Sequence, residues 1–284
     1  MSNTFSAALV CDALLPGVVT PLTAKLASLK AFSRRWEPDP IKPKAKCQLK
    51  IVRTGSTTQT DPTNFQVGDS LVENIEIVPS QLSHSFQVSN ANLQSGLTVI
   101  DLYRKNISQY ANAIMQVATA PISLANFPAE PLVASASSFG LSDLDVLWGE
   151  IAKSDTKNLI LDGRYFVKLL NKPGFFQPTG TANGAGWKPF GWDLISQNDE
   201  WAGASNNAVG FACNPQAIAI VAGLPAQMPS ANLIQQTLTL PDLDFQILFS
   251  MWMDAQSRTS WMSFDCMFGA ALADSTAGVL ITTS

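Results

Sequence analysis

Residues 97–120 read LTVIDLYRKNISQYANAIMQVATA, in which Ile100, Tyr103, Ile107, Tyr110, Ala111, Ile114, Val117 and Ala118 recur at three- and four-residue intervals. That spacing lays one apolar stripe along a helix. Thr98 is placed to cap its first turn, where Asp101 meets the positive end of the helix dipole, and Pro121 follows its other end. About 24 residues at 1.5 Å each predict a helix of roughly 36 Å, long for a globular protein.

Upstream, residues 46–53 and 71–78 are strand-like, with Val72, Ile75 and Ile77 beside acids. The intervening TGSTTQTDPTNFQVGDS is polar and rich in turn formers, so the three pieces read as a protruding hairpin with a long loop. Residues 1–40 combine a helical stripe (Leu22, Leu26, Leu29, Phe32) with Pro16, Pro21, Pro38 and Pro40, which predicts an extended arm carrying one helix.

Downstream, Ser142 is expected to cap a second helix. Leu144, Leu147, Trp148 and Ile151 lie on one face of it, with Asp143 and Asp145 in its first turn. NLILDGRYFVKLLN then predicts a buried strand over 159–161, a turn at Asp162–Gly163 and a helix over 164–170. PTGTANGAGWKPFG reads as loop, 209–212 as strand, and 216–222 as a helix with Pro215 in its first turn and Gly223 and Pro225 ending it. The tail alternates as strands over 237–240, 244–254, 259–268 and 278–282, with a turn at 255–258. The fold class is α+β.

Composition narrows the class of function. Hydrophobic residues make up 46% of the 284 and charged residues 14%, against roughly 25% charged in an average soluble domain. So little charge favours a chain buried among partners. Apolar runs are all too short to span a bilayer, so no membrane contact is expected, and Asp12 and Pro16 interrupt the apolar stretch 7–19 that could have been a secretion signal. Up to Arg53 there are nine Lys and Arg against three acids; the rest holds nine against 19, an arm of +6 and a body of −10. Such a split predicts contacts between copies or with nucleic acid.

Catalytic chemistry finds little support. The one histidine, His84, sits in QLSHSFQV and reads as a structural imidazole. Motifs for a nucleophile elbow, a zincin or a phosphate loop are missing, and Gly184-x-Gly186 is followed by Pro189 where a third glycine would stand. Cys11, Cys47, Cys213 and Cys266 are far apart, which predicts reduced thiols in place of a disulfide or zinc framework. Asp143 with Asp145 reads as dipole capping; Asp199 with Glu200 has no environment the sequence can supply. Trp187, Trp192, Trp201, Trp252 and Trp261 are expected in the core or at subunit interfaces. No catalytic, cofactor-binding or metal-binding residue is assigned, and no cofactor is expected.

The serial order of these elements resembles the major capsid proteins of tailed phages with the Hong Kong 97-type fold. LDVLWGEIAK (144–153) and NLILDGRYFVKLL (158–170) look like the axial-domain helix, strand and helix of those proteins. VGFACNPQAIAIVAGLP (209–225) is similar to the segment where a strand feeds a short helix. FQILFSMWMDAQSRTSWMSFDCMFGAAL (245–272) resembles their paired peripheral strands, with GVLI (278–281) as the closing strand. The resemblance implies an N-terminal arm (1–40), an extended loop hairpin (41–95), a peripheral domain with a long spine helix (96–130 and 235–284) and an axial domain (131–234).

In function it implies a shell subunit, assembled in the host cytoplasm into pentamers and hexamers that enclose double-stranded DNA in a virion. Its partners would be further copies of itself, a portal, a separate scaffolding protein and, without sequence specificity, the packaged DNA. No Lys and Asn pair with a helper carboxylate is assignable for covalent crosslinking between subunits. Two other readings remain open: an encapsulin-like compartment shell, and a hydrolase using Asp193 or Asp199 in the Gly-rich region.

Overall fold

The structure is a computed structural model that describes residues 19–42, 44–53, 71–89, 99–151, 156–172, 189–201, 207–227, 233–240, 243–254 and 259–283. Expectations for the loop at 54–70, the cap at Thr98, the Gly-rich loop, the turn at 255–258 and Cys11 lie outside these residues. In chain order the elements are helix α1 (residues 19–25), strands β1 (Ser33–Glu37), β2 (Cys47–Arg53), β3 (Leu71–Ile77) and β4 (Ser80–Ser89), helix α2 (Val99–Thr119), strand β5 (Leu132–Val133) and helix α3 (Leu141–Glu150). They continue as β6 (Asn158–Leu161), α4 (Gly163–Leu170), β7 (Leu194–Gln197), β8 (Ala208–Cys213), β9 (Ile218–Gly223), β10 (Leu233–Leu240), β11 (Phe245–Asp254), β12 (Thr259–Leu272) and β13 (Gly278–Thr282).

The larger sheet is built on β12. Its residues 259–268 pair antiparallel with β4 along one edge; along the other, 259–265 pair with β11 and 267–272 with β9. Strand β10 extends the sheet beyond β11. Side chains alternate along β12, so Met262, Phe264, Cys266 and Phe268 face one way. Onto that face α2 lays its predicted stripe: Ile107, Tyr110, Ala111, Ile114 and Ala118 are buried in the same core. The Tyr110 and Phe86 rings pack on Phe264 at 5.9 and 6.1 Å.

The smaller sheet runs β5-β13-β8-β6-β7. Ile160 and Leu280 point into the core of the larger sheet, while their neighbours Leu159, Leu161, Val279 and Ile281 point the other way, onto α3 and α4. Both helices therefore lie on the far face of this sheet. Gly210 is needed there, since a Cβ would stand 2.8 Å from Ile281 and 2.9 Å from Leu161. Neither sheet is one continuous stretch of sequence: β9 joins the larger and β13 the smaller.

Four expectations are corrected. Residues 216–222 are not a helix; after a 3-10 turn at Pro215–Ala217 they form β9, all six of whose residues are buried. Ile218, Ile220 and Ala222 face the main core, and Ala219 and Val221 face a cluster under the β2–β3 hairpin. A run apolar on both faces carries no period to separate helix from strand, and β-branched residues favour the strand. The cap of α3 is Gly140, not Ser142, and Asp143 accepts a hydrogen bond from the Gly140 amide at 2.8 Å. Asp162 is the N-cap of α4, accepting from the Arg164 amide at 2.9 Å, not part of a turn before it.

The fourth concerns residues 19–37 alone, which are not extended away from the body. Leu22, Leu26 and Leu29 are fully buried in the chain's own core, and β1 pairs parallel with β9 from Ser33↔Ala219 to Glu37↔Gly223. Ser28 donates to the Gln197 carbonyl at 3.1 Å, and Asn158 donates to that of Ala31 at 3.0 Å. Residues 19–37 are thus built into the body. The β2–β3 hairpin pairs in the expected antiparallel way, Cys47↔Ile77 to Arg53↔Leu71, and Cys47, Leu49, Ile51 and Ile77 bury its base on the face of β9 opposite the main core.

Ile114 has no exposed surface. Ile114→Asp would bury a carboxylate without a partner, at a cost of several kcal/mol, comparable with the whole stability of a domain. Loss of the folded circular dichroism signal, or insoluble protein on expression, is the expected outcome; soluble folded protein would contradict the packing.

Candidate functional site

The groups with catalytic potential are each engaged in holding the fold. His84 stands on β4 opposite Phe264, with Nε2 2.9 Å from Asn106 Oδ1 on α2, while Asn106 donates to the Leu102 carbonyl at 2.7 Å. The imidazole joins strand to helix, as its sequence context predicts. Asp193 and Asp199 stand beyond opposite ends of β7. Asp193 accepts from the Lys157 amide at 2.8 Å, and Asp199 from the Gly163 amide at 2.7 Å and from Gln197 at 2.8 Å. Glu200 accepts from Asn112 at 2.6 Å and Gln116 at 3.1 Å, tying the end of this segment to α2. The structure thus gives Asp199 and Glu200 an environment of backbone and carboxamide donors, which is the chemistry of a brace. Cys213 and Cys266 are buried, and burial pushes both thiols well above their ordinary pKa, away from the reactive thiolate.

A shallow cleft lies between α1, α2 and the segment after β7, lined by Lys25, Asn112, Gln197, Asn198, Asp199 and Glu200 among others. Its polar atoms satisfy one another: Lys25 donates to Asn112 Oδ1 at 3.3 Å. Two more of the arm's basic residues are similarly occupied. Arg35 pairs with Glu37 at 2.8 Å and donates to the Gln48 carbonyl, and Lys46 pairs with Glu76 at 2.9 Å.

What remains is surface. Val133, Leu141, Val146 and Val167 are 40 to 59% exposed, and all four belong to β5, α3 and α4 around the smaller sheet. The sequence did carry a signal for one of them, since Val146 falls off the stripe that α3 buries, whereas Leu141 continues that stripe at the helix's first residue. On α3 the outward side holds Asp145, Val146 and Glu150; on α4 it holds Arg164, Val167 and Lys168. Trp192 is buried, with the Trp148 ring edge-on at 5.9 Å, and Gly191, with a φ of +84°, lets that ring approach within 3.0 Å of where a Cβ would be. Trp252 and Trp261 stack across β11 and β12 at 6.1 Å and 5°.

No family model and no curated protein matches the sequence. Solved structures do. The virus-like particle from Pyrococcus furiosus matches with a TM-score of 0.50 at 12% identity, over 94% of this chain and 98% of that one. A structure from Mycobacterium phage Cain matches with a TM-score of 0.50 at 14% identity, over 90% of each chain. The capsid of Cyanophage P-SCSP1u gives 0.49 at 13% identity over 91% and 88%. At such identities the likeness is one of fold, and the first two matches extend it over nine-tenths or more of the chain. The chain has the mixed α+β capsid fold that the resemblance implies.

One buried acid escaped the sequence reading. Asp265 on β12 is 8% exposed, accepts from Ser263 at 2.8 Å, and Ser263 accepts from Ser85 at 3.0 Å. Burial raises its pKa, and the Ser263 and Gln81 hydrogen bonds pull it back in part. With a folded pKa above the unfolded value of about 3.9, the protonated form favours folding, and that contribution is lost as pH rises through the folded pKa. Asp265→Asn keeps an uncharged acceptor there, so its melting temperature at pH 7 should exceed that of the parent, with the gain vanishing below about pH 4. Thermal melts across pH check this; a variant less stable at pH 7 would refute it.

Proposed function

We propose that the chain is the structural subunit of a viral shell, and that it acts by assembly rather than by catalysis. The observation that carries this reading is the likeness of fold, over 94% of the chain, to the virus-like particle from Pyrococcus furiosus. The low charge content and the exposed apolar residues around the smaller sheet support it, because a surface of that kind gains from being covered. So does the engagement of His84, Asp193, Asp199 and Glu200 in braces.

In this reading α2 is the spine of the subunit. The divisions 1–40, 41–95, 96–130 with 235–284, and 131–234 are arm, extended loop hairpin, peripheral domain and axial domain, with β9 of the fourth span in the larger sheet and β13 of the third in the smaller. The subunits gather as pentamers and hexamers around double-stranded DNA, in a virion whose assembly begins in the host cytoplasm with a portal and a separate scaffolding protein. An encapsulin-like compartment is a second reading, favoured by the match to a particle described as virus-like. It would hold cargo protein where a virion holds nucleic acid.

Electron microscopy of the purified protein tests the shell directly: closed icosahedral particles are expected, and a small monodisperse species would overturn it. Nucleic acid or a cargo protein inside particles purified from the native source separates the two readings. Deleting residues 56–65 from the hairpin should leave a folded subunit by circular dichroism and lower the yield of shells, because in this reading that loop lies across a neighbouring copy. Equal yields from deletion and parent would remove the loop from assembly.

A further inference from the structure

Helices α3 and α4 lie on the same face of the smaller sheet, each burying one side and presenting the other to solvent. The two presented sides are opposite in charge, and each carries a half-exposed valine. On α3 the half-exposed Val146 stands between the exposed Asp145 and Glu150, and the ten residues of the helix include no base. On α4 the half-exposed Val167 stands beside Lys168, and the exposed Lys172 follows just past the end of the helix. Among the described residues, Asp145, Glu150, Lys168 and Lys172 take part in no ion pair within their own chain. Each face is an apolar side chain framed by uncompensated charge, which is the form of a contact rather than of a solvated helix.

We propose that α3 of one subunit docks against α4 of the next, with Val146 meeting Val167 and Asp145 and Glu150 pairing with Lys168 and Lys172. This rests on the shell reading and names the surface by which copies recognise one another. The occupant is a second copy because the complement of each face is carried by the same chain. The two faces differ, so the contact is head to tail, and repeated contacts of that kind close into a ring when the rotation between neighbours divides a full turn. Oppositely charged rims also set the register and reject the reversed arrangement, in which like charges would meet.

The test is a charge exchange, read by sedimentation velocity and electron microscopy. Asp145→Lys with Glu150→Lys, and separately Lys168→Glu with Lys172→Glu, should each raise the protein concentration at which assemblies appear by about tenfold, since exposed pairs contribute under roughly 1 kcal/mol each but recur at every contact. All four residues are exposed, so unchanged circular dichroism and melting of the unassembled variants are expected. Combining the four substitutions should bring assembly back toward the parent. Pairs of variants that assemble like the parent, or a combined variant no better than either pair, would overturn the proposal while leaving the shell reading intact. Loss of nucleic acid from normal shells on reversing the two lysines would also overturn it, assigning α4 to the genome. A parent that never assembles would overturn both.

Discussion

Burying β9 on both faces is the constraint on which the rest of the subunit depends. Its side chains are small or β-branched, Ile218, Ala219, Ile220, Val221 and Ala222, and nothing along it tolerates water. One edge needs β12 and the other needs β1, or a row of backbone amides would be left unpaired in an apolar setting. One face needs the core of α1 and α2; the other needs the base of the β2–β3 hairpin. Arm and hairpin are therefore recruited by the body before either can serve a neighbour. The parallel pairing of β1 with β9 also explains how an N-terminal segment comes to lie inside: parallel strands are rarely stable unless both faces are covered.

This separates two things that an apolar stripe cannot separate by itself. Leu22, Leu26, Leu29 and Phe32 announce that one side of residues 22–32 is hidden, but not from whom. A contact between subunits is a natural reading; the structure hides them within the chain. The same ambiguity, in another form, turned 216–222 into an expected helix. Where burial is one-sided the sequence is legible: α2, β2 and β3 lie close to their expected places because period 3.6 or period 2 survives in them. Where burial is two-sided, as in β9, the period is erased and only β-branching remains as a clue. Caps failed for a smaller reason. Ser142 is a better cap by residue type than Gly140, yet Asp143 reaching back to the Gly140 amide begins the helix earlier.

The carboxylates show why a site is harder to read than a fold. Asp199 and Glu200 owe their roles to Gly163, Asn112 and Gln116, residues distant in sequence whose approach depends on the assembled sheets. A backbone amide that needs an acceptor and a carboxylate that offers one leave the same sequence signature as a candidate acid and base. Only the partners distinguish them. Asp265 is the converse case: a charged residue in a strand of alternating pattern reads as solvent-facing, but it is paired across the sheet with Ser83 and Leu248 and is almost wholly covered.

Charge is scarce in this chain, and the scarcity gives meaning to where it is left over. Lys25 and Arg35 belong to the arm's excess of positive charge, yet each faces a partner in its own chain. The arm described from residue 19 onward is thus no free basic tail. A protein with many surface charges can leave several unpaired without consequence, since water and salt screen them over about 8 Å. Here the outward sides of α3 and α4 carry unpaired charge of opposite sign beside half-exposed valines, on the one sheet whose helices are not enclosed by the main core. A single contact of this kind is weak. In the proposed shell it would recur around every ring, so weakness in each contact would be compatible with a stable whole and would let misplaced subunits leave before the structure closed.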